Sequence, residues 1–363
     1  MTATPHLVVD ISAHGFGHIA LTAPVLDCLT ASLPRVTLTV RSAAPVAKLR
    51  EHIRSPFRHI SAGFDIGMRM RDALSVDADA SLAYYRNLHS DWDQTVDREA
   101  AALADLAPDA VLANVPYLSL AAAARAGVPA AALCCLNWGD ILAHYCGSRP
   151  GAGAIVDQIR DAYASARHFI QPAPSMPMTW LPNARGVGPL GRRAAPDAAA
   201  LRHALGARAG ERVALLSLGG IGFPLDVGAW PRLAGWTVVA GMPVRGSHPD
   251  VVPVEALGLP YIEVFAAADA VITKLGYGTV AEAGLNGIPL LFVPRDGWPE
   301  EPHLEQWLSE HGRCSRMPAS TLASGRFVAE LERLVGQPAP PPPHEDGAAA
   351  AAMLIRSLLP LQV

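Results

Sequence analysis

Short apolar runs alternate with amphipathic stretches along the first half of the chain. The bounded run LVVDI at residues 7–11 and the alternating run VTLTV at residues 36–40 predict strands. Further strands are predicted near residues 57–60 and at 110–114 and 129–136, and helices up to about residue 33, over 78–106 and over 118–127. This βαβα order predicts a parallel sheet with helices on both faces.

The pattern restarts after a stretch rich in proline and glycine. We interpret residues 1–175 as an N-terminal Rossmann-like domain, 176–193 as an interdomain linker and 194–336 as a second Rossmann-like domain. Strands are predicted at residues 213–219, 236–241, 261–265, 270–274 and 289–294, and a helix near 327–335. Residues 337–363 are predicted to form a proline-rich strap and a helix at about 348–359 that packs back on the domains. The predicted fold class is α/β, with two doubly wound parallel-sheet domains facing across a cleft.

Composition limits the classes of protein to which the chain could belong. The chain has 363 residues, enough for two domains, and only 17% of them are charged, which excludes a disordered chain. The net charge of −4 and the lack of an arginine- and lysine-rich stripe argue against nucleic acid as a partner. Five cysteines without a C-x-x-C spacing favour neither a disulfide framework nor a zinc site, and no signal peptide or membrane span is evident. A cytoplasmic protein is expected.

The segment ITKLGYGTVAE, residues 272–282, has the features of a phosphate cradle. A predicted strand ends at Lys274, and Gly276 and Gly278 then lead into a helix whose free N–H groups can bind an anion. Thr279 can cap the helix or donate to a phosphate oxygen. Glu282 has two interpretations: the acidic end of a T-x-x-E capping box, or a carboxylate that binds the two hydroxyls of a ribose.

A second constellation follows the first strand. In SAHGFGHIA, residues 12–20, two histidines flank glycines at the carboxyl end of a strand, where ligands of such sheets lie. A neutral imidazole suits a general base, and we rank His18 first and His14 second. The same loop contains G-x-G-x-x-A, typical of dinucleotide sites; Arg41 ends the next strand and could at best contact a 2′-phosphate.

A third glycine loop, LSLGGIGF at residues 216–223, follows another predicted strand. Gly219 and Gly220 suit close approach to a phosphate or a sugar, although a plain tight turn explains them nearly as well. Because ligands lie beyond the carboxyl ends of strands, we expect the loops after residues 11, 219, 274 and 294 to line one site.

Residues 272–308, ITKLGYGTVAEAGLNGIPLLFVPRDGWPEEPHLEQWL, resemble the donor-binding motif of GT-B glycosyltransferases. With SAHGFGHIA and the central LNWGDIL they resemble more closely the glycosyltransferase-like N-terminal domain of plant L-arabinokinases, over roughly residues 6–335. The resemblance implies that the donor diphosphate binds at Gly276, Gly278 and Thr279, and its ribose at Glu282. It implies that the donor sugar is held by Asp296, Glu300 and Glu301.

The resemblance also suggests roles for Lys274 and for the histidine-containing loop. The plant glucosyltransferases carry a histidine where this chain has Lys274, so positive charge is kept at the phosphates. The superfamily's Gly-His pair matches Gly17 and His18, and there the histidine activates the acceptor. Its acidic partner would follow the fourth strand, where this chain has Asn114. The remaining carboxylate candidates are Asp91, Asp93 and Asp140.

The expected activity is transfer of a sugar from a nucleotide diphosphate sugar, with UDP favoured, to an unidentified small-molecule acceptor. We expect inversion at the anomeric carbon and neither a metal ion nor a separate cofactor, because the helix start and Lys274 would stabilise the leaving group. The alternatives are a nucleotide-sugar hydrolase or epimerase, and a protein that binds nucleotide sugars without catalysis.

Overall fold

The chain forms two compact units. The computed structural model describes residues 4–14, 17–64, 67–206, 211–219, 223–344 and 346–360. The first unit comprises Met1–Arg69, Val76–Leu190 and His344–Val363, and the second comprises Met70–Ser75 and Gly191–Pro343.

The first unit is built on a seven-stranded parallel sheet in the order β3-β2-β1-β4-β5-β6-β7. Its strands are β1 (His6–Ile11), β2 (Thr37–Arg41), β3 (Arg58–Ile60), β4 (Ala110–Asn114), β5 (Ala130–Leu133), β6 (His168–Pro172) and β7 (Ala184–Val187). Its helices are α1 (Gly17–Ser32), α2 (Val46–His52), α3 (Ala78–His89), α4 (Trp92–Leu106), α5 (Tyr117–Arg125), α6 (Trp138–Cys146) and α7 (Ala152–Ala164). The central strands are mostly apolar, and nearly all of their residues are buried, as expected for a parallel sheet with helices on both faces.

The second unit has a six-stranded parallel sheet in the order β10-β9-β8-β11-β12-β13. Its strands are β8 (Arg212–Ser217), β9 (Trp236–Ala240), β10 (Val251–Pro253), β11 (Ala270–Thr273), β12 (Leu290–Phe292) and β13 (Cys314–Arg316). Its helices are α8 (Ala198–Leu205), α9 (Tyr261–Ala267), α10 (Tyr277–Asn286), α11 (Glu301–His311), α12 (Ala319–Ser324) and α13 (Val328–Val335).

The last helix, α14 (Gly347–Arg356), belongs to the first unit. It packs against α1, β6 and β7. Its first residue approaches the chain just after β7 so closely that a Cβ added to Gly347 would lie 2.2 Å from the carbonyl oxygen of Gly188. Helix α14 thus completes a unit whose other elements lie much earlier in the sequence.

A short early segment contributes to the second unit. Ala73 is fully buried in the hydrophobic core of that unit, beside core residues such as Leu216 and Ile272. The segment is held by Asp72, whose carboxylate accepts the backbone N–H groups of Leu74 and Ser75.

The predicted α/β fold class is confirmed for both units, and three details differ. The run YIEVF, predicted as a strand, forms helix α9, which begins directly after Pro260. Residues 184–187, interpreted as linker, form the edge strand β7. The strands β6, β10 and β13 were not predicted. In the described part of the chain, each helix is too short or too polar to cross a bilayer.

Both sheets reverse their strand order at one point. In the first unit the reversal lies between β1 and β4, and in the second between β8 and β11. The loops that leave such neighbouring strands run in opposite directions and open a crevice at the carboxyl ends of the strands, where ligands of these sheets bind.

Candidate functional site

The loops after β8, β11 and β12 meet in the second unit, as the sequence predicted for these three. A Cβ added to Gly219 would lie 3.6 Å from Nζ of Lys274, and one added to Gly276 would lie 3.9 Å from it. Gly219 has φ +85°, which a side chain would strain. The ammonium group therefore stands between two glycine turns at the reversal point of the sheet. Gly220 lies outside the described residues.

Helix α10 begins with its backbone donors uncapped by a side chain. Gly276 is the N-cap residue in extended conformation, and it provides no side chain to bond the first turn. Thr279 is the third helical residue and Glu282 the sixth, so the capping-box interpretation of these two residues is wrong. The N–H groups of the first turn and the helix dipole are thus directed at the space beside Lys274, an arrangement that binds anions.

The charge of Lys274 is sensitive to its surroundings. Burial and the nearby guanidinium of Arg295 together lower the pKa of the ammonium to about 7, while Glu300 and Glu301 oppose the shift. A bound diphosphate would favour the charged form and reverse this effect. The site therefore has a cation whose charge depends on what is bound.

Arg295, just after β12, is held by a buried acidic pair. The carboxylate of Glu301 accepts the backbone N–H of Arg295 at 2.9 Å, and Glu300 accepts the indole N–H of Trp298 at 2.9 Å. Arg295 also contacts Glu300 at 3.4 Å and lies over the Trp298 ring. Both glutamates, predicted as sugar ligands, are thus engaged in orienting Arg295. Asp296 is exposed, and its backbone N–H is accepted by Leu74.

Glu282 is buried behind the glycine turn. Its carboxylate contacts Nε of Arg192 at 3.4 Å, and its methylene lies close to Gly191. Burial raises the pKa of Glu282 and the Arg192 charge opposes this rise. The Tyr261 hydroxyl, hydrogen-bonded to Ser217 at the end of β8, lies near the same carboxylate. These groups form a polar pocket wall next to the anion site.

In the first unit, the loop after β1 and the end of β4 bring His18 and Asn114 together. Nδ1 of His18 lies 3.0 Å from Oδ1 of Asn114. The amide nitrogen of Asn114 donates to the His18 carbonyl and to the Thr22 hydroxyl. Asn114 thus occupies the place where the resemblance implied a carboxylate, and it contacts the predicted base directly.

Two further groups pack around His18. The indole of Trp138 makes edge contacts with both histidine rings. Its ring centroid lies 6.0 Å from that of His18 and 5.2 Å from that of His14. A Cβ added to Gly67 would clash with both Trp138 and His14, so this glycine permits their contact. His14 is only partly buried, and its ring makes an edge-on contact with the indole.

The thiol of Cys134, which follows β5, is hydrogen-bonded to the His18 ring. Burial by itself would raise the pKa of this thiol, but hydrogen bonds from Cys135, His18 and the backbone of Leu136 lower it. The environment of His18 is therefore formed by an amide, an indole and a thiol.

Two of the three aspartates considered as partners of the histidine have other contacts. Asp140 bonds Asn137, Arg160 and the indole N–H of Trp180. Asp93 is exposed and pairs with Arg125, and Asp91 precedes α4.

Arg41, considered for a 2′-phosphate, is buried and engaged. Its guanidinium makes two hydrogen bonds to Asp10 and one to Glu99. A dinucleotide phosphate would have to compete with this buried pair, which argues against the dinucleotide interpretation; the G-x-G-x-x-A pattern itself lies partly outside the described residues.

Comparison with known proteins supports the fold. No family model matches the sequence. An L-arabinokinase from Arabidopsis thaliana is 29% identical over 344 residues, which are 92% of this chain. The chain spans only 32% of the length of that relative.

Solved glycosyltransferase structures resemble this chain over nearly its whole length. The glycotransferase of kitacinnamycin has a TM-score of 0.66 at 18% identity and covers 99% of this chain and 100% of its own. The calicheamicin glycosyltransferase CalG4 has a TM-score of 0.58 at 17% identity, covering 99% of this chain and 94% of its own. A UGT transferase from Siraitia grosvenorii, solved in complex with UDP, has a TM-score of 0.54 at 14% identity, covering 97% and 93%. The chain therefore has the GT-B fold of two Rossmann-like units that these glycosyltransferases share.

Proposed function

We propose that this chain is a glycosyltransferase that takes a sugar from a nucleotide diphosphate sugar, most favourably UDP-linked, and transfers it to a small-molecule acceptor. The observation that carries the proposal is the uncapped start of α10 beside Lys274, at the reversal point of the second sheet. The solved relative that binds UDP, and others whose names describe sugar transfer, support this class of ligand.

In this proposal the second unit holds the donor. The diphosphate accepts hydrogen bonds from the backbone of Gly276, Gly278 and Thr279, and Lys274 neutralises its charge. Glu282, which Arg192 orients, accepts the ribose hydroxyls. Asp296, the exposed member of the acidic group, contacts the donor sugar, while Glu300 and Glu301 fix Arg295 beside it.

The reaction is a direct displacement with inversion. The acceptor hydroxyl loses its proton to His18 while its oxygen forms the new bond to the anomeric carbon. The bond from that carbon to the diphosphate oxygen breaks, and the nucleoside diphosphate leaves with the electron pair. The helix start and Lys274 stabilise the developing negative charge, so the step proceeds without a metal ion.

Ligand binding is the first test. Thermal-shift measurements with UDP-, GDP-, ADP- and TDP-sugars should show specific stabilisation by one nucleotide, since a ligand of the folded state raises the melting temperature. UDP-L-arabinose belongs in the set because the named relative is an L-arabinokinase. Glu282→Ala and Thr279→Ala should weaken this shift. A lack of stabilisation by every donor would contradict the proposal.

Turnover measurements then distinguish a transferase from a hydrolase and from a binding protein. With donor and an acceptor library, the native protein should form a glycoside, and His18→Ala should lose at least a hundredfold in turnover while its donor binding is retained. Free sugar released rapidly without acceptor would instead indicate a hydrolase. Tight donor binding without any product would indicate a binding protein.

A further inference from the structure

The polar groups around His18 form a closed set of hydrogen bonds. Nδ2 of Asn114 donates to the carbonyl oxygen of His18 at 3.2 Å and to Oγ1 of Thr22 at 2.7 Å. Oγ1 of Thr22 donates to the same carbonyl at 2.8 Å. Asn114 and Thr22 are both fully buried, so water does not compete for these bonds.

This set fixes the orientation of the Asn114 amide. A carbonyl oxygen only accepts hydrogen bonds, so the amide atom that faces the His18 carbonyl has to be the NH2 group. The Thr22 hydrogen is already donated to that carbonyl, which leaves a lone pair of Thr22 to accept from Asn114. A flipped amide would place Oδ1 against the His18 carbonyl oxygen, and Thr22 could donate to that Oδ1 only by giving up its own bond to the carbonyl. The atom that faces Nδ1 of His18 at 3.0 Å is therefore Oδ1.

The orientation of the amide decides the tautomer of the imidazole. Since Oδ1 of Asn114 can only accept, Nδ1 of His18 carries a hydrogen whether the ring is neutral or charged. We infer that Asn114 and Thr22 are positioning residues that hold the hydrogen of neutral His18 on Nδ1, so that Nε2 is the one ring atom that takes up and releases a proton. This inference rests on the proposed role of His18 as the base and adds the atom that performs it.

A neutral amide differs from a carboxylate in one respect. A carboxylate would orient the ring and also stabilise its positive charge, whereas Asn114 orients it without that charge. The titratable groups next to His18 in the described part of the chain are Cys134, whose thiol bonds the ring, with Cys135 beside it, and His14 across the Trp138 indole. The proton affinity of Nε2 is therefore set beside a neutral amide and a thiol whose own pKa is lowered by its bond to the ring.

The tautomer can be observed without any activity assay. In protein labelled with ¹⁵N-histidine, two-bond ¹H–¹⁵N correlation spectra distinguish the two nitrogens of each ring, and the His18→Gln variant assigns the His18 signals. We expect a protonated Nδ1 and an unprotonated Nε2 above the pKa of the ring. A native ring with its hydrogen on Nε2 would overturn the inference.

Matched variants test the cause. Thr22→Val and Asn114→Leu keep the volume of the side chain but remove its hydrogen bonds, so each variant should allow both tautomers of His18. Thr22→Ser keeps the hydroxyl and should show the native spectrum. Asn114→Asp keeps the acceptor, so Nδ1 should stay protonated and the pKa of the ring should rise, as seen by titration of the same signals. Unchanged tautomers in folded Thr22→Val and Asn114→Leu would overturn the inference.

Kinetics adds a readout that separates the two proposals. Asn114→Leu should lower kcat at least tenfold with little change in the donor KM, and Asn114→Asp should move the acid limb of the pH profile upward. Cys134→Ser, measured in parallel, reports how much of that limb depends on the thiol. If no acceptor is glycosylated although the spectra are as expected, the proposed function fails and the positioning by Asn114 stands.

Discussion

Lys274 shows how one residue can link ligand binding to pH. Its pKa is lowered to about 7 by burial and by Arg295, so in the free protein it loses its proton above neutral pH. A bound diphosphate favours the ammonium form and raises that pKa. At pH values between the pKa of free and of ligand-bound Lys274, binding requires uptake of a proton. The affinity should therefore fall by up to about tenfold for each unit by which the pH rises.

Calorimetric titration with a UDP-sugar between about pH 6.5 and 8.5, in two buffers of different ionisation enthalpy, measures both the affinity and the proton uptake. Lys274→Met should weaken binding and abolish the slope. Lys48, the other lysine of the chain, is paired with Glu51 on the surface, so Lys48→Met is a matched control that should keep the slope. A slope that persists in Lys274→Met would exclude this lysine as its origin.

Single residues also show what the sequence could reveal. Spacing alone identified Lys274, Gly276 and Gly219, because glycine turns at strand ends of a doubly wound sheet converge. The resemblance pointed to the position of Asn114, but the partner of His18 was sought among aspartates, since carboxylates are the usual partners. The contact of Asn114 with His18 depends on the register of β1 beside β4, which pairs Ile11 with Asn114 and which a sequence does not display.

Helix α10 illustrates a constraint at the scale of an element. Its residue Gly284 faces α11, and an added Cβ would lie 2.6 Å from the Trp307 ring. Gly284→Ala should therefore lower the free energy of unfolding by about 1–3 kcal/mol through overpacking, measured as the midpoint of urea denaturation.

The matched control lies in α7, where a Cβ on Gly153 meets nothing within 4 Å. Gly153→Ala should leave stability unchanged or raise it by up to about 1 kcal/mol, since alanine is the better helix former. Equal effects of the two substitutions would show that helix propensity, and not the contact with Trp307, decides the outcome.

Elements were predicted well where their apolar runs are long and bounded, as for β1, β8 and β11. The strand prediction for YIEVF was wrong because a run of five residues, four of them apolar or aromatic, cannot distinguish a strand from one and a half helical turns. The short edge strands β7, β10 and β13 carry too few apolar residues to be recognised.

At the scale of the whole molecule, the second unit includes a residue from far earlier in the chain. Ala73 is fully buried in its core. Ala73→Asp would bury an unpaired carboxylate and should destabilise this unit by about 3 kcal/mol or more. Hydrogen exchange should show lost protection in β8 and β11, with β1 and β4 protected as before.

The control for this substitution is Ala80→Asp, on the exposed face of α3, which introduces the same charge seven residues later and should leave exchange unchanged. Equal loss of protection in both sheets of Ala73→Asp would show that the two units unfold as a single cooperative body.

The return of the chain to its first unit has a consequence for synthesis. Helix α14 covers α1 and the strands β6 and β7, yet a ribosome makes it after the entire second unit. The surface that α14 covers cannot be buried by it while more than 150 residues are translated between β7 and α14. The first unit is thus completed only after the second has been synthesised, and until then its sheet is open to contacts with other chains.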